Sequence, residues 1–511
     1  MQNSYTKNYF KIYVWQGISF VLNFISMIIV IPFLTSNPVS YGVYSVCVSF
    51  SIFLAYADLG FIGAGQKYAA EYFAKGDKDS EIKVIGFTNF ILGFFLLFFS
   101  IFFGLVGLSP QLLVRDLVND SQQRVATSLF FILAIFTPTT LLQRLTQMIC
   151  GIRMEDFIVQ RSNIIGNVIK IISVFWFFRS GINDIVGYFL FMQFVSLLSV
   201  LLTFFFIKKR FNYDLSYLFQ SLRFNLFFFK KTKKLAFVSL FMTASWILYY
   251  ELDAIVIGKF LGLRYVAVYA IGLTVLSFFR SILGILFSPF SNRFNHFIGL
   301  DDEKSLKSFY SQIMEVFAPI VIFPIIAITI LADPIVRTWV GASYIDSILI
   351  VKLLVCCNLF AFITYPTNFI LIAKENQKLL YGLSVFLPLA YWFGIYLFID
   401  NWGIYSFAIF KLAVFLLSSI VLFKLMSSFL NIEIKAAFNR FLYPSIIPTI
   451  FLILVCCIVS DYLPTTKSKT NLIFVAFIIC LLVLLAFLLQ YLISKKWRNQ
   501  INDALKQFGL K

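Results

Sequence analysis

Residues 247–262 read ILYYELDAIVIGKFLG, an apolar stretch that holds two carboxylates, Glu251 and Asp253. A carboxylate in hydrocarbon costs roughly 3 kcal/mol on insertion scales, so each needs a reason. It can bind a coupling H+ or Na+, or it can pair with a buried cation. Five basic residues raise the same question. Lys170 (GNVIKIIS), Arg280 (LSFFRSIL) and Lys411 (AIFKLAVF) lie near the middle of apolar runs, and Arg144 and Lys352 lie closer to run ends. Asp58 sits in YADLGF. A long cation near a helix end snorkels to the interface, which is the competing reading for Arg144 and Lys352. From the midplane it faces a protein interior or a wet cavity. There Lys supplies a point charge, and Arg a planar fork that matches phosphate oxygens.

The two carboxylates differ in depth. Asp253 is expected about 6 Å from the end of its span at 1.5 Å rise per residue. Interfacial water, with Lys259 nearby, can account for it. Glu251 is deeper and follows Tyr249 and Tyr250, which makes it the better partner for an internal cation or coupling ion. On a continuous helix the two are about 200° apart, so they do not form one shared site.

Other chemistries are missing. No GxxxxGK[ST] phosphate loop occurs, which argues against ATP hydrolysis. A single histidine, His296, cannot build a metal cluster alone. The seven cysteines, Cys47, Cys150, Cys356, Cys357, Cys456, Cys457 and Cys480, fall within or at the ends of apolar runs, as packing residues do. Neither a metal nor a cofactor is expected.

The elements that carry these residues are membrane spans. The 511 residues are 60% hydrophobic and 13% charged, against about 25% charged in soluble domains. Mean hydropathy is +0.89. Apolar runs of about 20 residues, the length that crosses hydrocarbon, recur from end to end. They predict about fourteen helices, near 13–33, 43–64, 85–106, 127–150, 162–178, 185–206, 235–257, 266–288, 313–331, 348–372, 379–399, 402–425, 441–459 and 471–494. The first is expected to be retained rather than cleaved, since no small-residue site follows it. The alternating ten-residue segments of a membrane barrel are absent.

Lys and Arg orient the spans. Clusters such as KGDKDSEIK (75–83), KKR (208–210), KKTKK (230–234) and KKWR (495–498) fall on one side. Roughly 30 basic residues lie on that side against about 8 on the other, so it is cytoplasmic. Both termini are then cytoplasmic. The net charge of +18 reflects basic loops facing an anionic leaflet. It is dispersed, which argues against nucleic acid as a partner.

The two halves echo each other. PFLTSNPVSYGVYSV (32–46) matches KFLGLRYVAVYAIG (259–272), and Pro138 in FTPTTLLQ matches Pro366 in ITYPTNFIL. These echoes predict prolines that break the fourth and tenth spans. KGDKDSEIK resembles GLDDEKSLK at a similar offset. The expected organisation is an N-terminal lobe of spans one to six (1–206) and a basic cytoplasmic linker (207–234). A C-terminal lobe of spans seven to twelve (235–425) follows, then an extra helix pair with a tail (426–511). Parallel repeats with proline-interrupted helices at matching positions are a transporter pattern.

PFLTSNPVSYGVYS, YADLGF (56–61) and ELDAIVIGKFLGLRYVAVYA (251–270) resemble bacterial polysaccharide flippases. These are the O-antigen translocase or polysaccharide-transport proteins of the multidrug/oligosaccharidyl-lipid/polysaccharide exporter superfamily. The resemblance covers the first twelve spans. It implies an all-α polytopic fold of two six-helix lobes in a V around a central cavity, located in the cell inner (plasma) membrane. It further implies translocation of an undecaprenyl-diphosphate-linked oligosaccharide, an O-antigen or capsule repeat unit, from the cytoplasmic to the periplasmic leaflet. Membrane lipids and polysaccharide polymerase or chain-length proteins are the expected partners.

On this reading Lys170, Arg280 and Lys411, with Arg144 and Lys352, attract the diphosphate. Asp58, Glu251 and Asp253 hold those cations or take H+ or Na+. The alternative is a multidrug or toxin cation antiporter of the same superfamily, which needs an acidic cavity; the inward charges here are net basic. A membrane polymerase or transferase would carry a large extracytoplasmic loop. The longest here, 107–126, has about 20 residues, so no enzyme is expected.

Overall fold

The computed structural model describes residues 2–54, 60–115, 117, 119–153, 155–179, 183–373 and 377–507. Among them every element is helical, and the protein is an all-α multi-spanning membrane protein. Two compact units form, Met1–Ala267 and Val268–Lys511.

The first unit holds α1 (Gln2–Leu34), α2 (Pro38–Leu54), α3 (Phe61–Ala74), α4 (Lys78–Leu108), α5 (Asp120–Phe136), α6 (Thr139–Ile152), α7 (Phe157–Phe177), α8 (Ile185–Phe211), α9 (Leu215–Gln220), α10 (Leu226–Tyr250) and α11 (Asp253–Phe260). It also takes the first residues of α12 (Leu263–Gly299). The second unit holds the rest of α12, then α13 (Glu303–Ile330), α14 (Ala332–Trp339), α15 (Ser347–Cys356), α16 (Ala361–Ala373), α17 (Gln377–Trp402), α18 (Tyr405–Leu430), α19 (Ile434–Phe441), α20 (Ile446–Ser460), α21 (Lys469–Ile493) and α22 (Lys495–Gln507). The compact units therefore divide well past residue 234. The segment expected as a linker, 207–234, packs within the first unit, with α9 on α4 and α10 on α3.

Nine helices among the described residues are long and apolar enough to cross a membrane, and two bent helix pairs bring the total to eleven. These correspond to every expected span except the second, fifth and seventh. Of the second, α2 ends at Leu54 and α3 starts at Phe61 after left-handed Gly60. The fifth, α7, carries Arg161 and Lys170. The seventh lies on α10, whose first turns carry KKTKK, and α10 ends early, at a break before α11.

The repeat appears in local backbone. Gly76 (φ 75°) and Asp301 (φ 53°) both take the left-handed conformation. Each is followed by an Asp N-cap, Asp77 or Asp302, whose carboxylate accepts from the backbone N–H of Ser80 or Ser305 at 3.0 Å. An Asp side chain satisfies an amide that the first helical turn leaves unpaired. Left-handed Asn212 and Asn431 end α8 and α18 in the same way; Asn tolerates that region better than most residues.

Both spans expected to bend do so. The fourth turns 41° between α5 and α6, at Thr137 and Pro138. The tenth turns 47° between α15 and α16, but Pro366 is not the cause. It lies inside α16. The helix resets upstream, where Asn358 N–H donates to Val355 and Leu359 N–H to Cys356 in tight i→i−3 bonds.

Surface chemistry follows the hydrocarbon expectation. On α4, Phe94, Leu97, Phe98, Ile101 and Leu105 are all exposed, an i, i+3, i+4, i+7 stripe. The cysteines carry no disulfide; Cys47, Cys150, Cys357 and Cys456 are buried in packing.

Candidate functional site

In the first unit, α7 and α8 pack along their length. Lys170 on α7 donates from Nζ to Ser196 Oγ on α8 at 2.8 Å. That partner is neutral, so the bond does not cancel the ammonium charge. Nearly one turn earlier, Asn167 donates to Asn23 of α1 at 2.9 Å. α6 is amphipathic: Leu145, Met148 and Ile149 are buried, while Gln143, Arg144 and Gln147 are not. Arg144 Nη1 donates to Gln147 Oε1 at 3.0 Å on the same helix. The bonds of Arg144 and Lys170 thus run to different neighbours.

Glu251 and Asp253 depart from expectation. Asp253 is fully buried and Glu251 is 8% exposed, so the outer carboxylate is not at a wet interface. The helix stops at Glu251 and restarts at Asp253. The 200° separation assumed continuous helix and does not apply across this break. As the first residue of α11, Asp253 meets the positive end of that helix. Both carboxylates have partners. Just before them Trp246 stacks on Tyr250 at 3.9 Å, and Tyr249 lies edge-on to Tyr250 at 4.9 Å. Asp58 lies outside the described residues.

In the second unit, the Arg280 carbonyl accepts from Tyr365 Oη at 3.5 Å, a long bond, and Tyr365 stacks on Phe287. The Arg280 side chain is half-buried, as is Lys352 on α15. Lys411 is fully buried, with Nζ 5.4 Å from the Tyr391 ring centre. It is part of the packing between α17 and α18.

Two clusters went unread in the sequence. Glu81 was counted among loop charges, yet it is fully buried. Arg153 Nη2 donates to Glu81 Oε1 at 2.8 Å, and Nη1 donates to the Ile149 carbonyl at 3.2 Å. The guanidinium lies 4.7, 5.2 and 5.0 Å from the rings of Phe73, Phe211 and Tyr213. Tyr213 Oη donates to the same Glu81 oxygen at 3.4 Å. Burial first, and then the Glu81 charge, hold this phenol above its ordinary range. Nearby, Arg210 forks onto Glu155.

The second cluster centres on Glu315 of α13. It accepts from Arg440 Nε at 2.7 Å, Lys496 Nζ at 2.5 Å and Gln500 Nε2 at 2.6 Å. Trp497 Nε1 donates to the Val316 carbonyl at 3.2 Å and its ring stacks on Phe487. These bonds tie α19 and α22 to α13. The signal available in sequence was aromatic residues beside basic ones, as in RFNY and KKWR.

The fold resembles several solved structures. Over 95% of this chain and 99% of the other, it superposes on a lipid II flippase, MurJ, in an inward closed conformation, with TM-score 0.67 and 15% identity. It also matches an inward-facing multidrug-resistance MATE family transporter of the MOP superfamily, with TM-score 0.62, 14% identity, and 83% and 95% coverage. A MOP superfamily transporter from Pyrococcus furiosus, described as having a binding pocket of reverse polarity, matches with TM-score 0.53, 13% identity, and 83% and 96% coverage. No protein-family model and no curated protein matches the sequence. The chain shares its fold with these three proteins.

Proposed function

We propose that this protein flips an undecaprenyl-diphosphate-linked oligosaccharide, an O-antigen or capsule repeat unit, from the cytoplasmic to the periplasmic leaflet by alternating access. The observation that carries the reading is Lys170. The Lys170 amine lies inside an apolar helix and donates to a neutral hydroxyl rather than to a carboxylate, which leaves it able to pair with an anionic cargo. Arg280 and Arg144 add forked donors suited to phosphate oxygens. With the inside negative, each net negative charge moved outward releases about 2.3 kcal/mol per 100 mV. Spans one to six (1–206) and seven to twelve (235–425) are the moving lobes, a division by function rather than compactness; 207–234 joins them and 426–511 is an addition. The Trp246, Tyr249 and Tyr250 rings offer faces for sugar stacking. The protein acts without catalysis, in the inner membrane with both termini cytoplasmic, beside polymerase and chain-length proteins.

The cation antiporter is favoured by one observation, the two buried carboxylates Glu251 and Asp253. Binding separates the two. The purified protein should retain a lipid diphosphate, and Lys170→Gln and Arg280→Ala should each weaken it at unchanged expression, with Arg280→Lys restoring part. Saturable binding of organic cations, lost in Glu251→Gln and unaffected in Lys170→Gln, would replace the flippase reading. A reporter fused after Lys234 that reads periplasmic would overturn the orientation.

A further inference from the structure

A cavity of about 500 Å3 opens in the second unit between α13, α16 and α18, lined by Tyr310, Thr367, Ile370, Leu371, Leu425 and Met426, with Ser428 and Phe429 at its edge. This is the size range of small-molecule sites. It serves none of the intramembrane charges described above.

Its walls are chemically closed. Thr367 Oγ1 donates to the Ile363 carbonyl at 2.5 Å, so in the 2.6 Å contact with Thr367 the donor is Tyr310. Both hydroxyl protons are spent inside the protein. Tyr310 and Thr367 are 0% and 5% exposed. The remaining wall is aliphatic. Against Ile370, Leu371, Leu425 and Met426 a polar ligand gains no hydrogen bond, whereas a hydrocarbon chain loses nothing by entering.

Its rim is cationic and held in place. Lys307 is one turn before Tyr310 on α13. Its Nζ lies 5.6 Å from the centre of the Phe429 ring that edges the cavity. With the Asn431 amide turned to satisfy both its atoms, it accepts from Lys307 Nζ at 3.1 Å and donates to the Ser428 carbonyl at 3.0 Å. The ammonium keeps two protons for another acceptor. Ser428 is exposed beside it. Depth agrees with a head and tail arrangement. Tyr310 is about 10 Å from the start of α13 at 1.5 Å per residue, and Phe429 is one residue from the end of α18. The rim is at headgroup level and the aliphatic wall reaches toward hydrocarbon.

We infer that this cavity binds one anionic glycerophospholipid, with an acyl chain against Ile370, Leu371 and Met426, and its phosphate on Lys307. The Ser428 hydroxyl is placed for the glycerol ester region, which an isoprenyl phosphate lacks. On this inference the site makes the second unit responsive to the charge of the leaflet it sits in.

Native mass spectrometry of the full-length protein tests this. Phosphatidylglycerol, phosphatidylcholine of the same chains and undecaprenyl phosphate are titrated in separate arms. Phosphatidylglycerol should bind about fivefold tighter than phosphatidylcholine, the contribution of one basic residue at a lipid phosphate. Lys307→Gln should erase that preference, weakening phosphatidylglycerol more than phosphatidylcholine. Leu371→Trp should fill the cavity and remove both lipids. Because Lys307 lies at a rim, Lys307→Gln reports even where the tryptophan variant fails to fold. Retention of the preference in Lys307→Gln, or tighter binding of undecaprenyl phosphate than of phosphatidylglycerol, overturns the inference.

Discussion

Replacing Arg153 with methionine strips Glu81 of its cation while leaving the carboxylate buried. The Glu81 side chain is 1% exposed and the Arg153 side chain 10%, so water cannot rescue either one fully. Removing one partner of a buried pair costs about 3–5 kcal/mol. The two single variants should differ, because the survivors sit in different surroundings. After Glu81→Gln, Arg153 still faces three aromatic rings at 4.7–5.2 Å; desolvated cation–π contacts reach about 2 kcal/mol. The loss should fall near the lower end, about 3 kcal/mol. After Arg153→Met, Glu81 keeps only the 3.4 Å bond from Tyr213, and the loss should approach the upper end, about 5 kcal/mol. A double variant, Glu81→Leu with Arg153→Met, buries no charge and should recover most of the stability, since apolar replacement of a whole pair is often neutral. The assay is the thermal midpoint of purified protein in one detergent, with the two single variants and the double variant each compared with wild type. The expected order is wild type and double variant highest, Glu81→Gln lower, Arg153→Met lowest. A double variant at the sum of the single losses, or Glu81→Gln below Arg153→Met, refutes the reasoning.

Because both carboxylates at the α10–α11 break are buried, Glu251→Gln and Asp253→Asn should each impair transport; a silent Asp253→Asn, in a flux assay at matched expression, would return that residue to the interface. Gly86 on α4 has the Ser221 carbonyl where a Cβ would stand. Since that atom is backbone, Gly86→Ala should cost about 1–3 kcal/mol, read as a lower thermal midpoint, whereas Ala at open Gly63 should change little. Burial holds the Asp156 carboxyl above its ordinary range. Its folded form favours the proton, so this contribution is complete below about pH 4 and is lost as pH rises through the raised value. Asp156→Asn should therefore flatten the decline in thermal midpoint above that pH; an unchanged pH profile would exclude Asp156 as its source.

Much of the architecture was legible from one dimension. Hydrocarbon thickness sets a run length, and the runs at 85–106, 185–206, 313–331 and 471–494 became α4, α8, α13 and α21 with only end shifts. The short repeat loops were legible too, since an Asp three residues before a Ser amide caps a helix locally. What failed was any inference that needed the neighbour across a helix face. Pro366 looked like the breaker of the tenth span, yet the bend formed upstream around Asn358. Lys411 looked like a cavity cation because its sequence position is central, but depth along a helix says nothing about which face is covered, and α17 covers it. Asp253 looked interfacial because the helix was assumed to continue past Tyr250. Glu81 stood within the loop segment KGDKDSEIK and Glu315 within the ninth apolar run, and both became buried acceptors only when Arg153 and α22 arrived from 72 and 181 residues away. Hydropathy is summed along the chain and needs no partner. The burial, partner and role of a charge depend on groups brought together by folding, so only the tertiary structure decided them.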